Sequence, residues 1–257
     1  MKKEKIVAII PSRMASSRLP GKPLLKIYNL ELIEHVRRRA LLGKFFDEVY
    51  VATCDREIAS IVSQNNGKVI MTSDKHFDCN ERILEASKKI NAKFIVNVQG
   101  DEILVHPKNL DMICRTIVKD KQSMYWNAIS KIEDKKDLIN DTVVKCYISK
   151  NKNILFCSRK EEIIKKIDPN IPIMKLLGLQ AFKKSALKIY SKNNITPLEK
   201  NFSIGQMRIL ENNHNLKSIN IKNGYRGIDK KRDIIYAKNI LKRDKEQIKI
   251  LNKIINH

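Results

Sequence analysis

From residue 5 to residue 98 the chain alternates short apolar runs with amphipathic segments, and this alternation constrains the fold more than any other feature. Lys5–Ile10, Glu48–Thr53, Lys68–Thr72 and Lys93–Val98 read as strands, the first buried and the last strongly apolar. Between them lie three helical patterns. In Glu31–Leu42, the residues Leu32, Ile33, Val36 and Ala40 share one face, with Gly43 as stop and His35 at a solvated surface position. In Asp55–Asn65, Ile58, Ile61 and Val62 face inward, Asp55 is the candidate N-cap and Gly67 marks the end. Glu81–Ile90 is the third. Such β-α-β-α order predicts an α/β fold with a parallel sheet and right-handed crossovers, and ligands at the carboxyl ends of the strands.

The remainder is less regular. Asn127–Ile132, Val143–Ser149, Asn153–Ser158 and Met174–Phe182 read as strands, and Lys160–Asn170 as a loop or short helix. Leu198–Glu211 and Lys230–Ile255 carry amphipathic helical patterns. A chain of 257 residues can bury a full core as one domain, or as one domain with a sizeable insertion.

Composition narrows the function classes. No apolar run approaches the roughly 20 residues that span a bilayer, and the start Met1-Lys2-Lys3-Glu4-Lys5 carries no cleavage-site pattern, so neither membrane nor export is expected. Cys54, Cys79, Cys114, Cys146 and Cys157 are odd in number and scattered, which fits free thiols in a reducing, cytoplasmic compartment. The net charge of +23 raises the question of nucleic acid. The excess is mostly lysine spread along the chain among abundant Asn and Ile, and aromatics make up only 6%, so codon bias explains the charge better than an RNA surface does.

Three constellations carry chemistry. After the first strand comes Pro11-Ser12-Arg13-Met14-Ala15-Ser16-Ser17-Arg18-Leu19-Pro20-Gly21-Lys22-Pro23. Arg13, Arg18 and Lys22 suit phosphates, with Ser16 and Ser17 as hydrogen-bond donors, although neither glycine-rich phosphate cradle is present. Gln99-Gly100-Asp101-Glu102 ends the fourth strand, where a carboxylate can hold Mg²⁺ or cap a helix. Gly227-Ile228-Asp229 reads alone as an N-cap, and paired with Asp101 as the second half of a metal site.

With these motifs in view, the chain resembles the 3-deoxy-manno-octulosonate (Kdo) cytidylyltransferases. The matching segments include IIPSRMASSRLPGKPL (9–24), IVNVQGDE (95–102), NDTVVK (140–145), QMRILEN (206–212) and GIDKKRDI (227–234), in order over nearly the whole chain. The resemblance implies a Rossmann-like, mostly parallel sheet flanked by helices. It also implies a single domain over 1–257, with a smaller dimerisation subdomain inserted at about 150–222 and a homodimer. The implied reaction is Mg²⁺-dependent transfer of CMP from CTP to an acidic sugar, with release of pyrophosphate. Residue by residue, it implies Arg13, Ser16, Arg18, Lys22, Arg82 and Gln99 on the nucleotide and Asp101 and Asp229 on the metal. Lys22, Asp101 and Asp229 form the catalytic set, and Arg159, Gln180 and Gln206 meet the acceptor.

The chain departs from the family pattern in two regions. Asp78-Cys79-Asn80 stands in place of a Ser-Gly-Thr core. Leu176, Gln180 and Phe182 replace a histidine and two tyrosines, and Gly205 replaces a glutamate. Polar handles for sugar hydroxyls are thereby lost. The expectation is that Kdo is a poor acceptor and that an amino-substituted Kdo, another 2-keto-3-deoxy acid or a phosphonate is preferred. A non-catalytic nucleotide- or RNA-binding protein on the same fold is the competing reading, and the intact Lys22, Asp101 and Asp229 argue against it.

Overall fold

The computed structural model describes residues 4–16, 18–76, 78–166, 170 and 172–255. β1 (Ile6–Ser12), β4 (Glu48–Thr53), β5 (Lys68–Met71) and β6 (Phe94–Val98) form a parallel half-sheet in the order β5-β4-β1-β6, with α1 (Leu32–Leu41), α2 (Arg56–Gln64) and α3 (Cys79–Lys88) as crossovers. A short hairpin of β2 (Lys26–Ile27) and β3 (Leu30–Glu31) precedes α1. Every residue of β1 is buried, because its alternate side chains enter two cores. Ala8 and Ile10 meet α1, α4 (Pro107–Lys119), α10 (Lys231–Arg243) and α11 (Lys245–Ile255); Val7 and Ile9 meet α3, α7 (Lys184–Lys192) and α9 (Gln206–Glu211). Covering both faces is what allows strands to be apolar throughout.

Beyond β6 the sheet is mixed. β10 (Met174–Lys183) lies antiparallel between β6 and β7 (Tyr125–Lys131), followed by β11 (Leu216–Asn220), β9 (Asn153–Ser158) and β8 (Val144–Ile148). The register of β10 shifts between Leu176 and Gln180, and its first residues pair with β8 as well as β7. The sheet therefore curls back on itself. The expected subdomain at about 150–222 includes β9, β10 and β11 of this sheet. Beyond β6 the pairing of β7 with β11 is parallel and the others are antiparallel.

The helical pattern at 230–255 is two helices, broken at Asp244, whose extended backbone and carboxylate cap α11 through Glu246 N and Gln247 N. Likewise 198–211 divides into α8 (Pro197–Phe202) and α9, because Ser203 takes a left-handed φ of 52°. The remaining short helices are α5 (Lys136–Ile139) and α6 (Glu161–Lys165). The helices α4 and α7 and the strand β11 had no counterpart in the reading of the sequence. Asp55 does not cap α2 with its side chain; Oδ2 accepts the Met14 N–H at 2.9 Å and ties the loop after β1 to α2.

His35 is a further correction. It is fully buried, with Nε2 bonded to Ile27 O at 2.8 Å, so it joins the β2–β3 hairpin to α1. Burial drives its pKa down to about 4, against the Ile27 bond, with Arg39 and Arg38 adding repulsion. A histidine held neutral binds fewer protons folded than unfolded between about pH 4 and 6.5. Stability contributed by His35 is therefore complete above pH 6.5 and is lost as pH falls toward 4, by on the order of 3 kcal/mol. Denaturant titrations across that range should show His35→Gln with a flatter acid slope than wild type.

Candidate active site

Three segments distant in sequence meet at the carboxyl ends of β1 and β6. The loop after β1 is folded on itself by Gly21 N and Ser16 N, which both donate to Met14 O, and is anchored by buried Leu19. It presents Arg13, Ser16, Arg18 and Lys22 to a cavity of about 280 Å³ that Arg82, Gln99, Asp101 and Asp229 also line. Ser17 lies outside the described residues. Arg82 is buried and held by Thr72 Oγ1; Ser12 Oγ, buried on the cavity wall, has no partner.

Asp101 and Asp229, far apart in the chain, converge on one ammonium. Lys22 Nζ is 2.7 Å from Asp101 Oδ2 and 3.4 Å from Asp229 Oδ1, and it donates to Ile228 O at 2.9 Å. Arg18 reaches Asp229 Oδ1 at 3.2 Å. Neither aspartate caps a helix with its side chain. Asp101 sits in a turn, and the start of α10 is closed by Asp233, whose Oδ2 accepts from Asp229 N and Lys230 N. The Asp229 carboxylate is thus left for the cations. Gly227 makes the approach possible: a Cβ there would stand 3.3 Å from the Asp101 carboxylate carbon and carbonyl oxygen. Burial pulls the Lys22 pKa down, but the two carboxylates outweigh it and the ammonium is held above its usual value.

The residues fit a divalent cation. Two carboxylates supply hard oxygen donors, and the space between them already holds a positive charge, that of Lys22. Among the described residues no group of three His, Cys, Asp or Glu gathers to hold a metal unaided. A hard cation here would complete its shell from phosphate oxygens and water, the usual habit of Mg²⁺.

A second cavity of about 260 Å³ adjoins the first and shares Arg18, Asp78, Gln99, Asp101 and Asp229 with it. Gln180 and Gln206 line it, fixed by Asn97 Nδ2 to Gln180 Oε1 and by Gln206 Nε2 to Asn127 Oδ1. Arg159 also lines it and has no carboxylate partner among the described residues; its guanidinium donates to Phe202 O, Asp141 O, Thr142 O and Ser203 O at 3.1–3.4 Å. Leu176 and Gly205 lie on the wall. Phe182 does not: it is buried edge-on against Tyr125, so the missing hydroxyl at 182 removes no handle from the cavity.

Several charged residues on or behind this wall escaped the reading of the sequence. Lys145, behind it, is fully buried and among the described residues has only carbonyls for partners, Asn140 O, Val143 O and Arg159 O; burial lowers its pKa to about 8. Lys175 and Arg226 pair with buried Asp137 at 2.8 and 2.7 Å. Burial, with Asp101 adding to it, pushes Glu102 up to about 8, against the Gly178 N–H that its Oε1 accepts. The one available signal was the position of Lys145 and Arg208 inside the matching segments.

Replacing Lys22 by Met leaves two partly buried carboxylates facing each other without their cation. Unfolding by denaturant should show a loss of about 1–3 kcal/mol at neutral pH relative to wild type.

The chain is similar throughout to proteins that activate sugars with CTP. A family model described as cytidylyltransferase matches residues 7–221. The 3-deoxy-manno-octulosonate cytidylyltransferase of Arabidopsis thaliana, a mitochondrial protein, is 32% identical over 237 residues, covering 90% of this chain and 81% of the relative. The 8-amino-3,8-dideoxy-manno-octulosonate cytidylyltransferase of Shewanella frigidimarina is 32% identical over 217 residues, covering 83% and 89%. A solved CMP:2-keto-3-deoxy-manno-octonic acid synthetase complexed with CTP superposes with a TM-score of 0.85 at 27% identity, covering 93% of this chain and 99% of that one. Fold, loop and sequence agree, and the chain belongs to the 3-deoxy-manno-octulosonate cytidylyltransferase family.

Proposed function

We propose that the chain transfers CMP from CTP to the hydroxyl of a 2-keto-3-deoxy sugar acid. The observation that carries this reading is the junction of the two cavities: Asp101 and Asp229 stand on the shared wall, with the cationic loop on one side and Arg159 on the other. An acceptor oxygen attacks the α-phosphorus there. The bond from that phosphorus to the bridging oxygen breaks, the hydroxyl proton is lost, and pyrophosphate leaves.

In this reading Arg13, Ser16, Arg18 and Lys22 hold the triphosphate, and Lys22 offsets the charge that grows on the departing pyrophosphate. Arg82 and Gln99 line the nucleotide side. Mg²⁺ held by Asp101 and Asp229 supplies polarisation of the reacting phosphate when bound. Arg159 takes the acceptor carboxylate: among the described residues its guanidinium pairs with no acid, so it offers its charge where Lys175 and Arg226 are already paired. The matched relatives include one named for Kdo and one for its 8-amino analogue, so the acid is of that size and class.

Steady-state pyrophosphate release from CTP with a panel of sugar acids and phosphonates tests the reading. Lys22→Ala should slow turnover by on the order of a hundredfold or more; near-normal kinetics would remove the loop from the mechanism. Arg159→Lys should raise the acceptor KM by about tenfold, because an ammonium cannot reproduce a planar fork.

A further inference from the structure

We propose that the acceptor cavity is built for a zwitterionic sugar acid, one that offers its carboxylate to Arg159 and an ammonium group to Asp78. The inference rests on the acceptor site proposed above and names the substrate class that fills it. It starts from Gly205. A Cβ built there would stand 3.5 Å from Asp78 Oδ2, 3.3 Å from the Tyr190 hydroxyl and 3.6 Å from Asn80 Nδ2. The family pattern has a glutamate at this position and a serine at 78; this chain has glycine and aspartate. A glutamate at 205 would begin its side chain against the Asp78 carboxylate. Against that pattern the negative charge stands at the N-cap of α3 instead of at the adjoining start of α9, and the space beside it is left open.

The charge on Asp78 is poorly neutralised by the protein. Arg208 gives its Nε and Nη2 to Glu199, each at 2.7 Å, and reaches Asp78 Oδ2 only at 3.4 Å. Three carboxylates, those of Glu199, Asp78 and Glu81, therefore share one guanidinium, which is stacked 4.3 Å from the Tyr190 ring centroid. The other partners of Asp78 are neutral: the Tyr190 hydroxyl on Oδ2 and Glu81 N on Oδ1. Burial raises the Asp78 pKa, against the Tyr190 hydrogen bond, and a cation from the ligand would relieve that cost.

A region of opposite sign lies on the same cavity. Arg159 lines it, Lys145 lies behind it, and among the described residues both hydrogen-bond only carbonyls, with Lys145 holding the Arg159 carbonyl at 2.6 Å. The two poles sit on one turn, Arg159 at Ser203 O and Asp78 beside Gly205. A molecule with a carboxylate at one end and an amine at the other matches both. A neutral hydroxyl gives Asp78 a hydrogen bond but leaves its charge in place, whereas an ammonium donates and neutralises the carboxylate as well.

The test is pyrophosphate release from CTP with two acceptors, 3-deoxy-manno-octulosonate and 8-amino-3,8-dideoxy-manno-octulosonate, at a neutral pH that keeps the amine protonated. Wild type should favour the amino acid by about tenfold or more in kcat/KM. Asp78→Asn keeps an oxygen for the N-cap but removes the charge, and should bring the ratio close to one. Gly205→Glu should lower Tm in wild type and not in Asp78→Ser, a readout that needs no substrate. An equal or reversed preference in wild type, or an undiminished one in Asp78→Asn, overturns the inference while leaving cytidylyl transfer intact. Failure of both acceptors to release pyrophosphate overturns the function on which it rests.

Discussion

The Lys22 ammonium between Asp101 and Asp229 is the interaction on which the rest of the site depends. It joins the loop after β1, the turn after β6 and the segment before α10, which share no local sequence. Two carboxylates brought this close repel, and only a cation between them makes the arrangement favourable. Lys22 is also tied to Ile228 O, so the same nitrogen sets both the charge and the backbone path. The site is therefore held together by the groups that would act in it.

Away from that centre, the acceptor cavity is shaped by cations and anions that do not find each other. Lys145 and Arg159 take backbone carbonyls, whose dipoles satisfy their hydrogen bonds without cancelling their charge. Asp137 neutralises Lys175 and Arg226, so those two are wall rather than ligand. Asp78 shares a guanidinium already given to Glu199. In a low-dielectric cleft an uncompensated charge attracts its opposite strongly, and this pattern makes the cavity selective by charge as well as by shape.

The nucleotide side and the acceptor side also differ in how they are supported. The loop after β1 is braced by Asp55 from α2 and by buried Leu19, against the parallel half of the sheet. The acceptor wall is made by β10 where its register shifts, by the Ser203–Gly205 turn between two short helices, and by β8.

Local periodicity determined the strands and helices up to residue 98, because each buries a face of fixed spacing whatever its neighbours do. The cationic loop and the two aspartates were also legible, since Arg, Lys and Asp beside Gly-containing turns keep their chemistry in any fold. Tertiary structure alone decided the rest. Whether Asp229 caps a helix or faces a cation turned on Asp233 taking over the cap. Whether His35 was solvated turned on the β2–β3 hairpin covering it, and whether Phe182 met the acceptor turned on where β10 leaves the cavity. That Asp78 and position 205 are neighbours is visible only in space, because they precede different helices and meet where residue 205 has no Cβ. Sequence pattern records what each residue can do; long-range packing sets which charges are neutralised by the protein and which are left for a ligand.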